Sequence, residues 1–89
     1  MEEENDRHVW IKVETSKGMF SSERAVTFQL IDGRTVSLFA DDCLLKKENG
    51  DWFLRVFPVQ QFPSRHCQRV LLPAETFETA TRWVDVALA

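Results

Sequence analysis

Two glycine-containing dipeptides constrain the fold of this chain more than any other feature. Asp32-Gly33 and Asn49-Gly50 each lie between runs rich in apolar residues, 17 positions apart. Asp and Asn tolerate a positive φ and Gly adopts one without steric penalty, so such dipeptides are the strongest short-range sequence signal for a β-hairpin. We therefore predict short antiparallel strands, with Gly33 and Gly50 at positive φ.

The register of the first hairpin follows from the alternation of its side chains. A three-residue loop at residues 31–33, closed by a G1 bulge, places Phe28 opposite Val36 and Val26 opposite Leu38. Residues opposite each other share a face of the sheet, so this register collects the apolar side chains on one side. A two-residue loop would mix polar and apolar residues on both faces. The apolar pattern therefore favours the three-residue loop.

The same argument predicts a three-residue loop at residues 48–50. Lys47 then pairs with Asp51 beside the turn, and Leu45 pairs with Phe53. The two-residue alternative would set Lys47 opposite an aromatic ring, which is the poorer match of side chains. Residues 52–57 carry apolar side chains on both faces in either register.

Other segments are assigned from alternation and from proline. Pro58 and Pro63 cannot donate to a β-ladder, so residues 58–66 are predicted to form a loop. Residues 73–80 begin with a proline at a first-turn position and predict one short helical turn, anchored in the core by Phe77. Alternating or apolar runs predict further strands at residues 8–15, 25–31, 67–72 and 82–86.

These elements define an all-β fold class with one short helical turn near the C-terminus. Short strands separated by turn signals every 8–12 residues are typical of a small closed sheet. SH3-like, Sm-like and OB-like barrels all fit 89 residues, and the helical turn before a terminal strand favours a small antiparallel SH3-like or Sm-like β-barrel. This is an expectation by analogy of fold. We expect one barrel domain at residues 7–89.

The acidic residues are distributed unevenly along the chain. The net charge is −3, but four of the fourteen acidic residues lie within residues 1–6. That segment is expected to be an acidic flexible tail, either solvated or folded over a basic surface. Its acidity is unlike the basic start of a signal peptide, and no apolar run is long enough for a membrane helix. We therefore expect a cytoplasmic protein without a membrane partner.

The residues that could carry chemistry do not form a recognisable motif. Cys43 and Cys67 are expected to be reduced, buried thiols, and the Cys and His spacing does not fit zinc. His66 and Cys67 would point to opposite faces of a strand, so they cannot share a proton. Asp41 and Asp42 are adjacent at a bend, where aspartates usually form a turn. The sequence therefore predicts no enzyme, no metal and no cofactor.

Residues 52–74 are the segment with the clearest binding character. They contain no acidic side chain and interleave arginines with aromatic rings. Such a pattern suits single-stranded nucleic acid, particularly RNA, on an Sm-like or OB-like surface. The candidate contacts for this alternative are Arg55, Phe57, Phe62, Arg65 and Arg69.

A protein interface is the preferred interpretation of the same surplus of apolar residues. A small barrel has only one interior, so strands that are apolar on both faces leave some rings outside, where clustered aromatics with arginine mark interfaces. We therefore predict a non-catalytic binding or assembly module that binds a protein partner or a second copy of itself. The candidate interface residues are Trp10, Phe39, Leu45, Phe53 and Phe57.

Overall fold

The computed structural model describes residues 8–18 and 21–88, which form an all-β domain with two single 3₁₀ turns. The predicted acidic tail at residues 1–6 lies outside the described residues. The strands are β1 (Val9–Lys17), β2 (Glu23–Gln29), β3 (Thr35–Asp41), β4 (Leu45–Glu48), β5 (Asp51–Phe62), β6 (Cys67–Leu71) and β7 (Trp83–Ala87).

The strands form one antiparallel, strongly curled sheet. Its order is β3-β2-β1-β5-β6-β7, and β4 pairs with the first part of β5. The curl brings the β2–β3 loop against the far end of the sheet, where the Ile31 N–H donates to the Asp85 carbonyl at 2.9 Å. The result is a half-barrel, which confirms the predicted all-β class.

The concave side of this sheet holds the core. Every strand except β4 contributes at least one buried apolar residue, and partly buried Leu45 of β4 packs against them. Burial follows the period of two expected of strands with one covered face. The apolar residues that are least exposed, at 2% or less, are Val26, Val36, Leu38, Leu54, Val56, Val70 and Leu72.

The first hairpin has the predicted register. Phe28 lies opposite Val36 and Val26 opposite Leu38. The Leu30 N–H donates to the Arg34 carbonyl at 2.8 Å, which closes a three-residue loop. Gly33 has φ +92°, as a G1 bulge requires.

The predicted register of the second hairpin is wrong by one residue. Glu48 pairs with Asp51, so the loop is the two-residue Asn49-Gly50. Both residues have positive φ, 52° and 88°, which defines a type I′ turn whose twist matches that of the flanking strands. The lysine that this register places opposite Trp52 is accommodated by a cation–π contact, with Nζ 5.7 Å from the ring centroid. Turn geometry therefore outweighed the apolar matching used in the prediction.

The predicted loop at residues 58–66 is wrong for residues 58–62, whereas residues 63–66 do connect two strands, through the 3₁₀ turn Pro63–Arg65. β5 continues through Pro58 to Phe62, and its register with β6 shifts between Pro58 and Gln60. Val59 is the extra residue of this β-bulge and is 56% exposed. The bulge interrupts the ladder beside the proline, so the strand continues past a residue that cannot donate.

Residues 73–80 contain the predicted turn but no helix. One helical-type turn is present, in which the Ala80 N–H donates to the Thr76 carbonyl at 3.0 Å, but no helix follows. Phe77 was expected to anchor this segment in the core, and its ring is instead 64% exposed. Thr76 is the buried residue, and its hydroxyl oxygen accepts the Thr79 N–H.

The two thiols differ in their surroundings. Cys67 is buried, whereas Cys43 is exposed in the 3₁₀ turn Asp42–Leu44, so the prediction of a buried thiol is wrong for Cys43. Neither forms a disulfide. Among the described residues, no helix has the length and apolar character needed to cross a bilayer.

Candidate binding interface

Three of the five candidate interface residues share the convex face of the sheet. Leu54 and Val56 of β5 point into the core, so Phe53 and Phe57 point outward. Trp10 lies opposite Arg55 on the neighbouring strand and therefore points outward too. The alternation of β5 thus extends an aromatic strip along its outer side.

The most exposed part of this strip is a row across three strands. Phe57 lies opposite Leu71, and Leu71 lies opposite Trp83. Phe57 is 49% exposed and Trp83 is 53% exposed. Sequence analysis missed Trp83, although its alternation with the apolar Val84 was a usable signal that it points outward.

An arginine lies beside this row, held by an acid and two rings. The Arg69 guanidinium donates to both carboxylate oxygens of Asp85, at 2.8 and 3.1 Å. It also lies 4.7 Å from the Trp83 ring centroid and 5.7 Å from that of Phe62. The hydrogen bond from Arg69 lowers the pKa of the Asp85 carboxyl, and the same bond raises the pKa of Arg69. This pair is therefore fixed and charged on both sides at neutral pH.

The other two arginines of the acid-free segment carry no ion pair within the described part of the chain. Arg65 stacks on Phe62, with the guanidinium carbon 4.6 Å from the ring centroid. Arg55 is half-buried and borders Phe57 and Leu71 in a shallow cavity. We call the surface formed by these side chains the aromatic–arginine face; it consists of Arg55, Phe57, Phe62, Arg65, Arg69, Leu71 and Trp83.

The structure therefore brings all five nucleic-acid candidates onto one surface but separates the protein-interface candidates. Phe39 lies on β3, where its ring meets that of Phe77 edge-on at 5.3 Å. Leu45 packs against the core instead of facing solvent. Trp10 is half-buried and is covered by the Lys46 ammonium, 4.4 Å above its ring centroid.

A second concave region lies where β1 leaves β2. The ladder between these strands begins at Glu14 opposite Thr27, and the preceding residues of β1 pair with β5 alone. Two cavities of about 470 and 390 Å³ follow this seam. Both are lined by Lys12, Phe28 and Gln29. The seam was not anticipated, because nothing in the sequence marks where two paired strands separate.

The residues considered for catalysis line neither seam cavity. Asp42 is exposed and lies 3.6 Å from Arg24 in an ion pair at the start of β2. His66 is exposed with φ 56°, whereas Cys67 beside it is buried. Within residues 8–18 and 21–88, no three His, Cys, Asp or Glu side chains are grouped closely enough to hold a metal ion.

Comparison with known proteins gives no match: no family model, curated protein or solved structure is significantly similar to this chain. Its function has to be argued from the surfaces described above.

Proposed function

We propose that this protein is a non-catalytic binding module that docks a protein partner through its aromatic–arginine face. The curled sheet acts as the rigid support for that face, in the manner of a small SH3-like or Sm-like barrel. The observation that carries the proposal is the row of Phe57, Leu71 and Trp83 across three adjacent strands. Large rings left about half exposed on a regular sheet are a common property of protein interfaces.

The charges of this face select the chemistry of the partner. Asp85 is the acidic side chain that contacts the described part of the face, and Arg69 occupies both of its oxygens. Arg55 and Arg65 remain available to a carboxylate. We therefore infer a partner surface that combines aliphatic side chains with Asp or Glu, since such a surface complements both the rings and the free guanidinium groups.

Charge also argues against a symmetric dimer through this face. A two-fold interface brings the same patch of both copies together. Arg55 and Arg65 would then approach arginines of the second copy, with Asp85 already engaged. A different protein satisfies the face better than a second copy does.

The test uses a fluorescein-labelled peptide in which Leu and Asp alternate, with a Leu and Lys peptide of equal length as the control. We expect the acidic peptide to bind more tightly and to change the fluorescence of Trp83. Phe57→Ser and Trp83→Ser should each weaken binding at least tenfold, because buried aromatic anchors dominate interface energies. Phe77→Ser is the matched control variant, since this exposed ring lies outside the face and contacts Phe39.

Three outcomes would overturn the proposal. Equal binding of both peptides would remove the argument from charge. Concentration-dependent light scattering that Trp83→Ser abolishes would assign the face to a second copy. Binding of a deoxythymidine oligonucleotide, lost in Phe62→Ser and weakening steeply with salt, would assign it to single-stranded nucleic acid. Of the three arginines in the described part of this face, Arg69 is paired with Asp85, which leaves Arg55 and Arg65 to contact phosphates and makes this alternative the weaker one.

A further inference from the structure

The seam between β1 and β2 exposes one backbone edge of β1. Glu48 and Asp51 flank a two-residue loop, so they exchange both backbone hydrogen bonds. The backbone N–H and C=O groups of successive strand residues point to opposite edges of the strand. Counting along β5 from Asp51 and across to β1, those of Ile11, which lies opposite Leu54, therefore point toward β5. Those of Trp10 and Lys12 point to the opposite edge, where the described ladder with β2 has not begun.

The end of β2 is engaged elsewhere, which holds the seam apart. The Ile31 N–H donates to the Asp85 carbonyl of β7 instead of continuing toward β1. The space left between these strands is the 390 Å³ cavity, and residues from β1, β2, β5, β6 and β7 line it. Five residues of β1, from Trp10 to Glu14, border the two seam cavities, a span of about 17 Å in extended chain.

The walls of the seam are mainly apolar, with one unsatisfied polar group. Phe28, Phe53 and Val86 contribute apolar surface. Gln68 also lines the cavity and is only 6% exposed, and its buried Oε1 atom has no hydrogen-bond partner among residues 8–18 and 21–88. A buried amide oxygen without a donor is unfavourable and rare, so it marks a position at which an added donor would be gained.

Lys12 provides the charge at the rim. It lines both cavities, and within the described residues its ammonium is held by one exposed ion pair, with Asp51 at 3.7 Å. An exposed pair of this length is weak, so an incoming carboxylate can replace Asp51.

We propose that this seam binds an extended peptide of a partner protein, which adds a strand to the free edge of β1. The alternating N–H and C=O groups of Trp10 and Lys12 are complementary to a peptide backbone. Apolar side chains at every second position of the peptide contact Phe28 and Val86, and an acidic side chain pairs with Lys12. This site shares no residue with the aromatic–arginine face, so the two proposals stand or fall separately.

The probe is the synthetic peptide acetyl-Thr-Val-Glu-Val-Thr-Val-amide, titrated into ¹⁵N-labelled protein. We expect the amide signals of Trp10, Lys12 and Gln29 to shift, and hydrogen exchange at the Trp10 and Lys12 amides to slow. Two further peptides carry N-methyl groups at alternate positions. Only the set that faces β1 should weaken binding, by at least tenfold, because each methyl group removes one ladder hydrogen bond and blocks close approach of the strands.

Protein variants test the contributions of the Lys12 ammonium and of the buried Gln68 side-chain amide. Lys12→Glu should weaken binding of this peptide several-fold, and replacing the peptide's Glu by Lys should restore binding to that variant. Gln68→Met should weaken binding while leaving the fold intact. Phe77→Ser is the matched control that leaves seam binding unchanged, because this exposed side chain lines neither seam cavity.

Four results would overturn the inference. The first is the absence of any shift at Trp10 and Lys12 with about 1 mM peptide, which corresponds to a very weak complex. The second is an equal effect of both N-methylated sets, and the third is a loss of binding in Lys12→Glu that the peptide with Lys in place of Glu does not restore. The fourth is a concentration-dependent dimer whose formation protects the Trp10 and Lys12 amides without peptide. The last result would place a second copy in the seam.

Discussion

Two turn signals of the same kind produce two different loops in this protein. Gly33 with φ 92° is the last residue of a three-residue loop, whereas Asn49 and Gly50, at 52° and 88°, form a two-residue loop. Gly33 follows an Asp whose Oδ1 accepts the Arg34 N–H at 3.0 Å, a local bond that stabilises the longer loop. The positive φ values were predictable from the dipeptides, but the loop length depends on such local bonds.

Substitution of Gly50 by Ala should lower the free energy of unfolding by about 1 kcal/mol, because an L-residue is strained at this φ. A methyl group there meets no atom within 4 Å, so the effect is one of backbone conformation alone. Gly18→Ala should be more damaging, since its Cβ would lie 2.6 Å from the Glu23 carbonyl oxygen. Urea denaturation measures both; a Gly50→Ala variant as stable as the parent would contradict the conformational argument.

At the scale of elements, the free edge of β3 is closed by the segment that was predicted to be a helical turn. The Glu78 carboxylate accepts the Ser37 N–H at 2.8 Å and the Ser37 hydroxyl at 2.7 Å. The Phe77 N–H donates to the Ser37 carbonyl at 2.9 Å. A side chain and one amide thus occupy the positions of a neighbouring strand, which protects an edge that could otherwise pair with another chain.

The hydrogen bonds from Ser37 lower the pKa of Glu78, and this makes the closure depend on pH. A carboxyl with a depressed pKa in the folded state stabilises the fold above its unfolded value, about 4.3, and that contribution is lost as the pH falls through the folded pKa. Glu78→Gln should therefore be less stable than the parent at pH 7, and the difference should disappear in acid. Thermal unfolding between pH 7 and pH 2 tests this.

The control for that experiment is Glu75→Gln, an exposed residue of the same segment without an assigned contact. It should unfold like the parent at every pH. A stability difference between Glu78→Gln and the parent that persists unchanged in acid would show that the side chain acts through packing and not through its charge.

How far the elements could be predicted depends on whether their cause is local. Strands β1, β2 and β3 follow from alternation, because burial of one face leaves a period of two in the sequence. The continuation of β5 through Pro58 depends on a bulge opposite β6, whose paired residues are 9–12 positions away. The hydrogen bonds between Ser37 and Glu78 join residues 41 positions apart, and no local sequence pattern predicts such a pairing. The row of Phe57, Leu71 and Trp83 could be predicted in part. Local alternation within each strand indicates which side chains point outward, but the pairing that places Phe57 and Trp83 on either side of Leu71 joins distant parts of the chain.

At the scale of the whole molecule, one strand carries both a buried and an exposed face. Leu54 is fully buried on the concave side of β5, whereas Phe57 on the convex side is 49% exposed. Leu54→Ala should lower the free energy of unfolding by about 2–5 kcal/mol, as expected for a cavity in the core. Phe57→Ala should change it by less than about 1 kcal/mol. Chemical denaturation of the two variants compares them directly; equal losses would mean that the convex face is part of the core.

Few hydrogen bonds connect the two ends of the half-barrel. The bond from the Ile31 N–H to the Asp85 carbonyl is the described backbone link between the β2–β3 loop and β7. Together with the hydrogen bonds that join Ser37 to Phe77 and Glu78, it closes the curl, and such a small set of bonds can open without global unfolding, because the ladders on either side remain intact. The Ile31 amide should then exchange with solvent at a lower free energy than the amides of β2 and β3. The same opening would change the width of the seam, so the domain resembles a clasp in which the sheet is the hinge and this small set of hydrogen bonds is the catch.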